Sequence, residues 1–454
     1  MNIIKNENYI LEITDIGVHG EGIGKVDGFA VFVEGACIGD KIKIKMLKVK
    51  KNYGYGKIES IIKPSEFRTE PICPSFGKCG GCSLQHMDYK KQLEFKTKKV
   101  KDTIERIGGI ENPNVLDIKG MDNPLFYRNK AQYPVGQNED NVVIGFYAKR
   151  SHRIIETPKC YIQNKDTNEI VKCFKEFMLE NNIPPYDEQK HKGIVRHLII
   201  RTSKKTGNIM VVVVVNSNGI AYENKLIEKL LNQNENIKSI VININKKRTN
   251  TVLGNKNKSV FGNDFITDYI GKLKFQVSPL SFFQVNPIQT EVLYNTAINF
   301  AELTGEETVI DAYCGIGTIS LFLAKKAKFV YGIEVVADAV KDAVKNADIN
   351  GIFNVEFIEG KSESIIPKLH NEGIKADCIV LDPPRKGCDE LIIDTIINMT
   401  PKKIVYVSCD CATLARDIKR LCKGGYTFVK AQPVDMFCMT EHVETVVLMS
   451  KTDK

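Results

Sequence analysis

Two cysteines, Cys409 and Cys411, flank one aspartate in the stretch YVSCDCATLARD, residues 406–417. Such a pair can hold a metal, form a disulfide, supply one nucleophile beside a bystander, or fill space twice. Three other stretches carry groups capable of chemistry. VLDPPRKG, residues 380–387, sets the carboxylate of Asp382 before two prolines that stiffen the backbone. TEHVETVVLM, residues 440–449, puts Glu444 at the start of a strand-like run. CPSFGKCGGC, residues 73–82, spaces Cys73, Cys79 and Cys82 as C-x5-C-x2-C, and Cys160 in ETPKCYIQ is a natural fourth thiol. Four thiolates suit zinc or an iron–sulfur cluster. Zinc more often shows two C-x2-C knuckles; one is present here.

The elements that must position these groups follow from periodicity. The chain has 454 residues, 43% apolar and 26% charged, with a net charge of +9. That length predicts two to four domains, and the charge permits an anionic partner. No apolar run approaches the roughly 20 residues of a membrane helix. The longest, IMVVVVV at 209–215, has the length and β-branching of a strand. The N-terminus lacks the apolar core of a signal peptide, so a cytoplasmic protein with mostly reduced thiols is expected.

Residues 1–63 read as short strands joined by glycine turns, a small β-barrel. In KIKIKMLKVKK the period is two: Lys41, Lys43 and Lys45 share one face, and Ile42, Ile44 and Met46 the other. Lys41 to Lys57 contains seven lysines and no acid, which suits a solvated edge or a strand that tracks phosphates beside the tyrosines of NYGYGK. Residues 64–275 read as a mixed α+β central domain. It has a basic helix over 90–106, strands near 142–148, 194–202, 209–215 and 240–245, a helix near 167–180, and an Asn/Lys-rich surface loop over 243–258. From 276 to 454, strands alternate with helices, predicting a parallel sheet covered on both faces.

In that C-terminal part, VIDAYCGIGTISLFLA (309–324) follows a strand–glycine turn–helix plan, and Glu334 ends a second strand 23 residues after Asp311. Asp311, Glu334, Asp382 and Cys409 all fall at the carboxyl ends of strands, where a doubly wound sheet holds its ligand. A plain NAD domain needs a third glycine, which this stretch lacks; Thr318 follows Gly317. The arrangement resembles the S-adenosylmethionine-dependent methyltransferases, and VLDPPRKG is similar to their [DN]-P-P turn. Versions that methylate amines usually carry an aromatic after the prolines; here it is Arg385. Carbon 5 of uracil is barely nucleophilic until a thiolate adds at carbon 6, and a base must then remove the carbon 5 proton. That chemistry demands a cysteine and a general base in one pocket. Cys409 precedes an expected helix N-terminus, which favours a thiolate.

SCDCATLARD is similar to the S-C-x-x-x-T-x-A-R-D signature of the RNA uracil-5-methyltransferases, HVETVVLM to their general-base motif, and FFQVN (282–286) to the start of their catalytic domain. The resemblance implies Cys409 as nucleophile and Glu444 as base, with Gln284, Tyr313, Glu334 and Asp382 contacting S-adenosylmethionine. Cys411, where proline is common, is then a bystander. His442 is expected to orient or face solvent, and Arg416 and Asp417 to pair on the helix surface or fix the Cys409 loop. The barrel resembles a TRAM domain. The cysteines resemble the 4Fe-4S ligands of one branch, implying a structural or RNA-shaping cluster at Cys73, Cys79, Cys82 and Cys160 and 23S ribosomal RNA as substrate, with a monomer expected. The alternatives are the same chemistry on tRNA, a non-catalytic RNA-binding ribosome assembly factor, and an iron–sulfur oxidoreductase with a dinucleotide.

Overall fold

A computed structural model describes residues 3–138 and 141–452. Strands β1 (Asn8–Ile16), β2 (Gly22–Val26), β3 (Phe29–Val33), β4 (Lys41–Val49) and β5 (Tyr53–Lys63) close into a barrel in the order β1-β2-β3-β5-β4. Alternation decides its inside. On β4, Ile42, Ile44 and Met46 are fully buried while Lys41 and Lys45 are exposed. On β5 the inward positions include Gly54 and Gly56; a Cβ on Gly56 would lie 2.5 Å from Ile44 Cδ1.

After the cysteine loop comes α1 (Tyr89–Thr103), capped by the Asp88 carboxylate, which accepts from the amides of Lys90 and Lys91. It runs on into a π-helical turn, Ile104–Gly108. The central sheet joins β6 (Lys130–Asn138), β7 (Asn141–Tyr147), β8 (Ile154–Glu156), β9 (Val195–Thr202), β10 (Ile209–Val215), β11 (Ile237–Ile244) and β12 (Lys256–Gly262) in the order β12-β11-β10-β9-β6-β7-β8. Helices α2 (Asp166–Glu180) and α3 (Glu223–Gln233) cover one face. Val211, Val213 and Val215 of β10 pack beneath them, while Met210, Val212 and Val214 enter the core of the C-terminal unit. Burial on both faces is why this strand reads as an unbroken apolar run. The loop expected over 243–258 is shorter than that: β11 runs through Ile244 and β12 begins at Lys256. β12 is an edge strand with mostly exposed side chains, so it has no apolar alternation to reveal it.

The hairpin β13 (Ile266–Ile270) and β14 (Leu273–Val277) and helix α4 (Pro287–Ala301) lead into the second sheet. Its strands are β15 (Thr308–Asp311), β16 (Phe329–Glu334), β17 (Val355–Glu359), β18 (Cys378–Leu381), β19 (Lys403–Ser408), β20 (Tyr426–Val434) and β21 (Glu444–Lys451). The order is β17-β16-β15-β18-β19-β21-β20, with β21 antiparallel to both neighbours and the first five parallel. Between them run α5 (Thr318–Ala324), α6 (Ala337–Asn350), α7 (Ser362–Asn371), α8 (Glu390–Met399) and α9 (Cys411–Lys423). Residues of α4–α6 and the hairpin fill one core, and residues of α7–α9 and the π-turn the other. The fold is thus α/β, a doubly wound sheet carrying an N-terminal barrel. Chain order reverses between β15 and β18, and their carboxyl ends open the ligand crevice.

Candidate active site

The glycine turn after β15 is shaped for close approach. Gly315 and Gly317 hold φ of +55° and +82°. A Cβ on Gly317 would meet Phe357 Cζ at 2.9 Å, whereas beside Gly315 there is open space. Glu334 reaches across from β16: its Oε2 accepts from the Gly315 amide at 3.2 Å and its Oε1 from the Val336 amide at 2.8 Å. Asp311, fully buried, accepts from Ser320 Oγ at 2.6 Å. Burial pushes its carboxyl up to about 6, with Ser320 opposing.

The reactive groups meet one crevice further along. Ser408 pairs with Thr445 across β19 and β21, so the antiparallel register sets Cys409 opposite Glu444 at the strand ends. Asp382 follows β18, the other neighbour of β19. Glu444 is 4% exposed, and burial followed by the nearby Asp382 pushes its carboxyl up to about 8; Arg385 opposes them. Burial and then Asp311 raise Asp382 to about 7. Burial, then Glu444 and Asp382, push the Cys409 thiol up to about 11, again against Arg385. Burial and the two carboxylates thus oppose the expected helix-favoured thiolate. A helix does start at Cys411, but the Asp410 carboxylate takes its free amides from Ala412 and Thr413. Cys411 is raised to about 11 as well, first by burial. Access separates the two thiols: Cys411 is packed into the core with Leu414 and Ile418, while Cys409 is half-buried beside the carboxylates.

Cys73, Cys79, Cys82 and Cys160 line a separate cavity of about 190 Å³ with Gln85, Arg128 and Gln163. The Gly81 amide lies 3.4 Å from Cys79 Sγ, and the amides of Ile162 and Gln163 are directed at Cys160. Arg128 Nε and Gln163 Oε1 are buried without a protein partner. Among the described residues, no three His, Cys, Asp or Glu groups converge on one metal-binding point. The four thiols surround a space.

The family model for tRNA (uracil-5-)-methyltransferase matches residues 88–452, and that for the TRAM domain residues 6–58. The chain belongs to the tRNA (uracil-5-)-methyltransferase family. It is 52% identical over 446 residues to an uncharacterized RNA methyltransferase of Clostridium tetani, covering 98% of this chain and 97% of that one. To an uncharacterized RNA methyltransferase of Halalkalibacterium halodurans it is 49% identical, again covering 98% and 97%. Among solved structures it is similar to the tRNA (uracil-54, C5)-methyltransferase of Pyrococcus abyssi in complex with S-adenosyl-L-homocysteine. There the TM-score is 0.77 and the identity 26%, over 96% of this chain and 99% of the other. The chain is accordingly an RNA methyltransferase that uses S-adenosylmethionine. No helix among its described residues is long and apolar enough to cross a membrane.

Within this uracil-5-methyltransferase family member, the other expected residues divide. Gln284 is buried in the loop before α4, which Asn129 anchors by donating to its carbonyl at 3.0 Å. Tyr313 follows Asp311, but its ring packs on the far face of the sheet with its hydroxyl near Cys388. His442 is half-buried against Phe437, 3.8 Å from Glu441. Arg416 and Asp417 are not a surface pair, since Asp417 is fully buried. Its Oδ2 accepts from the Cys388 amide and the Tyr406 hydroxyl, and Arg416 donates to the carbonyls of Lys386 and Cys388. Together they fix the loop that follows the two prolines. The basic helix is likewise partly spent inside. Lys96 is fully buried, 2.5 Å from Asp435, and Lys99 donates to the carbonyls of Val18 and Glu441. Ser83, next to Cys82, donates to Glu441 at 2.6 Å. Sequence reasoning missed this grip on the segment that delivers Glu444; nothing in a run of lysines separates a buried one from its exposed neighbours.

Proposed function

We propose that this protein methylates carbon 5 of uridine in 23S ribosomal RNA, with Cys409 forming a covalent bond to the base and Glu444 removing the carbon 5 proton. The observation that carries the reading is the register that sets Cys409 opposite Glu444 beside Asp382. Burial raises the carboxyls of Asp311, Asp382 and Glu444, with Asp311 adding to the shift of Asp382 and Asp382 to that of Glu444, and a cationic ligand offsets that clustering of carboxylates. S-adenosylmethionine is such a cation, and when bound it supplies the methyl group from its sulfonium. Glu334 and the open space at Gly315 suit its ribose. Gln284 and Tyr313 are further candidate contacts; for Tyr313 this means the backbone, since its hydroxyl is turned away.

Cys409 Sγ adds to carbon 6 of the uracil, and its proton passes to solvent at the half-buried site. The displaced ring electrons move to O4 as an enolate, and carbon 5 becomes the nucleophile that takes the methyl group. Glu444 then accepts the carbon 5 proton. The electrons of that C–H bond restore the ring double bond and expel Sγ.

The four-thiol cavity supports a 4Fe-4S cluster at Cys73, Cys79, Cys82 and Cys160. Thiols around a space suit a cluster, whereas one zinc ion needs all four sulfurs about 2.3 Å from a single point. The buried Arg128 Nε and Gln163 Oε1 and the amides directed at the sulfurs complete a polar shell. This cavity is also what favours 23S ribosomal RNA. The likeness to the Pyrococcus abyssi enzyme favours tRNA as the second reading. The test is mass mapping of 5-methyluridine in 23S and transfer RNA from cells with and without the gene. Loss confined to 23S RNA is expected; loss confined to tRNA would reverse the assignment.

A further inference from the structure

The outer face of the barrel carries an aromatic cluster. Tyr53 and Tyr55 stand two residues apart on β5 and so share one face, and β3 pairs Phe32 with Tyr55. The three rings touch: centroids are 5.6 Å apart for Phe32–Tyr53, 5.7 Å for Tyr53–Tyr55 and 5.9 Å for Phe32–Tyr55. Two of the contacts are edge-on, at 83°. Such packing holds each ring in a fixed orientation. Yet Tyr53 and Tyr55 remain 37% and 38% exposed. The barrel core does not explain them, because Gly54 takes the inward position between the tyrosines.

The surroundings are cationic. Lys48 pairs with Tyr55 across β4 and β5, and Lys45 with Lys57. All three lysines are exposed. Arg150, from the turn after β7, lies close enough to act on the Tyr55 hydroxyl, as does Glu21. Pre-oriented rings in a cationic frame match an unpaired nucleic-acid strand, whose bases stack and whose phosphates seek lysines. A duplex offers neither free base faces nor that spacing.

We propose that Phe32, Tyr53 and Tyr55 form a stacking platform for unpaired bases of the RNA substrate, outside the methylation pocket. The proposal rests on RNA being the substrate and on nothing about the methylation step. It separates two roles on one barrel. The rings bind bases, and the lysines bind phosphates.

The test uses the full-length protein and two probes, a 12-nucleotide oligouridine and a duplex of equal length, titrated by fluorescence anisotropy across a salt series. Tyr53→Ala with Tyr55→Ala should weaken oligouridine binding by about 10- to 100-fold, the worth of one to two stacked bases. The slope of affinity against salt should not change, because no phosphate contact is lost. Duplex binding should also hold. Lys45→Ala with Lys48→Ala should instead flatten the slope. The chain has no tryptophan, so Tyr55→Trp adds a single reporter whose emission oligouridine should quench. Equal oligouridine affinity in the tyrosine variant, an equal loss on duplex, or no quenching would each overturn the platform. So would a change confined to self-association, which would make the face a contact between copies. If the wild type binds neither probe, the platform fails while the RNA methyltransferase assignment, which rests on the family match, stands.

Discussion

Glu444 and Cys409 are both held on the protonated side of their usual range, first by burial, then by Asp382 for Glu444 and by Glu444 and Asp382 for Cys409. A raised carboxyl stabilises the fold fully below its unfolded pKa of about 4.3, and that stability is lost as pH rises through the folded value. For Glu444 the window runs from there to about 8, with Asp382, raised to about 7, titrating as its partner. Glu444→Gln removes the buried charge. It should leave the melting temperature nearly unchanged at pH 5 and raise it at pH 9 by a few degrees, given about 2–4 °C per kcal/mol for a domain of this size. Melts showing the same offset at both pH values would mean that the carboxyl is not desolvated. The same shifts imply that methylation accelerates between pH 6 and 9, as Glu444 sheds its proton near 8 and the small thiolate fraction of Cys409 grows, which a pH–rate profile checks.

At the scale of elements, the segment that carries Glu444 to the pocket is held from outside its own sheet. Lys96 of α1 and Asp435 are both fully buried and paired, and the Tyr89 hydroxyl donates to the same aspartate at 2.7 Å. Removing one partner strands a buried charge. Lys96→Met should cost about 3–5 kcal/mol, while Lys96→Met with Asp435→Leu should recover much of it. Urea unfolding of the two variants checks this; equal losses would mean that packing matters here and charge does not. The α/β alternation was legible in the sequence because period and strand ends coincide in runs such as KFVYGIE and KIVYVS. So was the gathering of Asp311, Glu334, Asp382 and Cys409 at one edge. Three things were not legible. β12 hides behind lysines and asparagines, the Tyr313 hydroxyl turns toward Cys388, and the state of the Cys409 thiol depends on carboxylates brought close only by folding.

Across the whole molecule, the cysteine loop, α1 and the Glu444 segment are one connected body. Ser83, the residue after Cys82, donates to Glu441, and Lys99 ties Glu441 to the barrel through Val18. Anaerobic reconstitution with iron and sulfide should give a brown protein absorbing near ~400 nm, and Cys73→Ser or Cys160→Ser should remove that band. Stoichiometric zinc without iron would contradict the cluster. Cys409 and Glu444 divide the work of the proposed reaction, and trapping its intermediate separates their roles. Glu444→Gln is incubated with S-adenosylmethionine and substrate RNA and run on a denaturing gel. Addition and methyl transfer need no base, whereas proton removal slows by roughly 10²- to 10⁴-fold. A methylated, covalently linked protein–RNA band should therefore accumulate, disappear when Cys409→Ala is added, and persist when Cys411→Ala is added. Normal turnover by Glu444→Gln, or an adduct that maps to Cys411, would contradict the account.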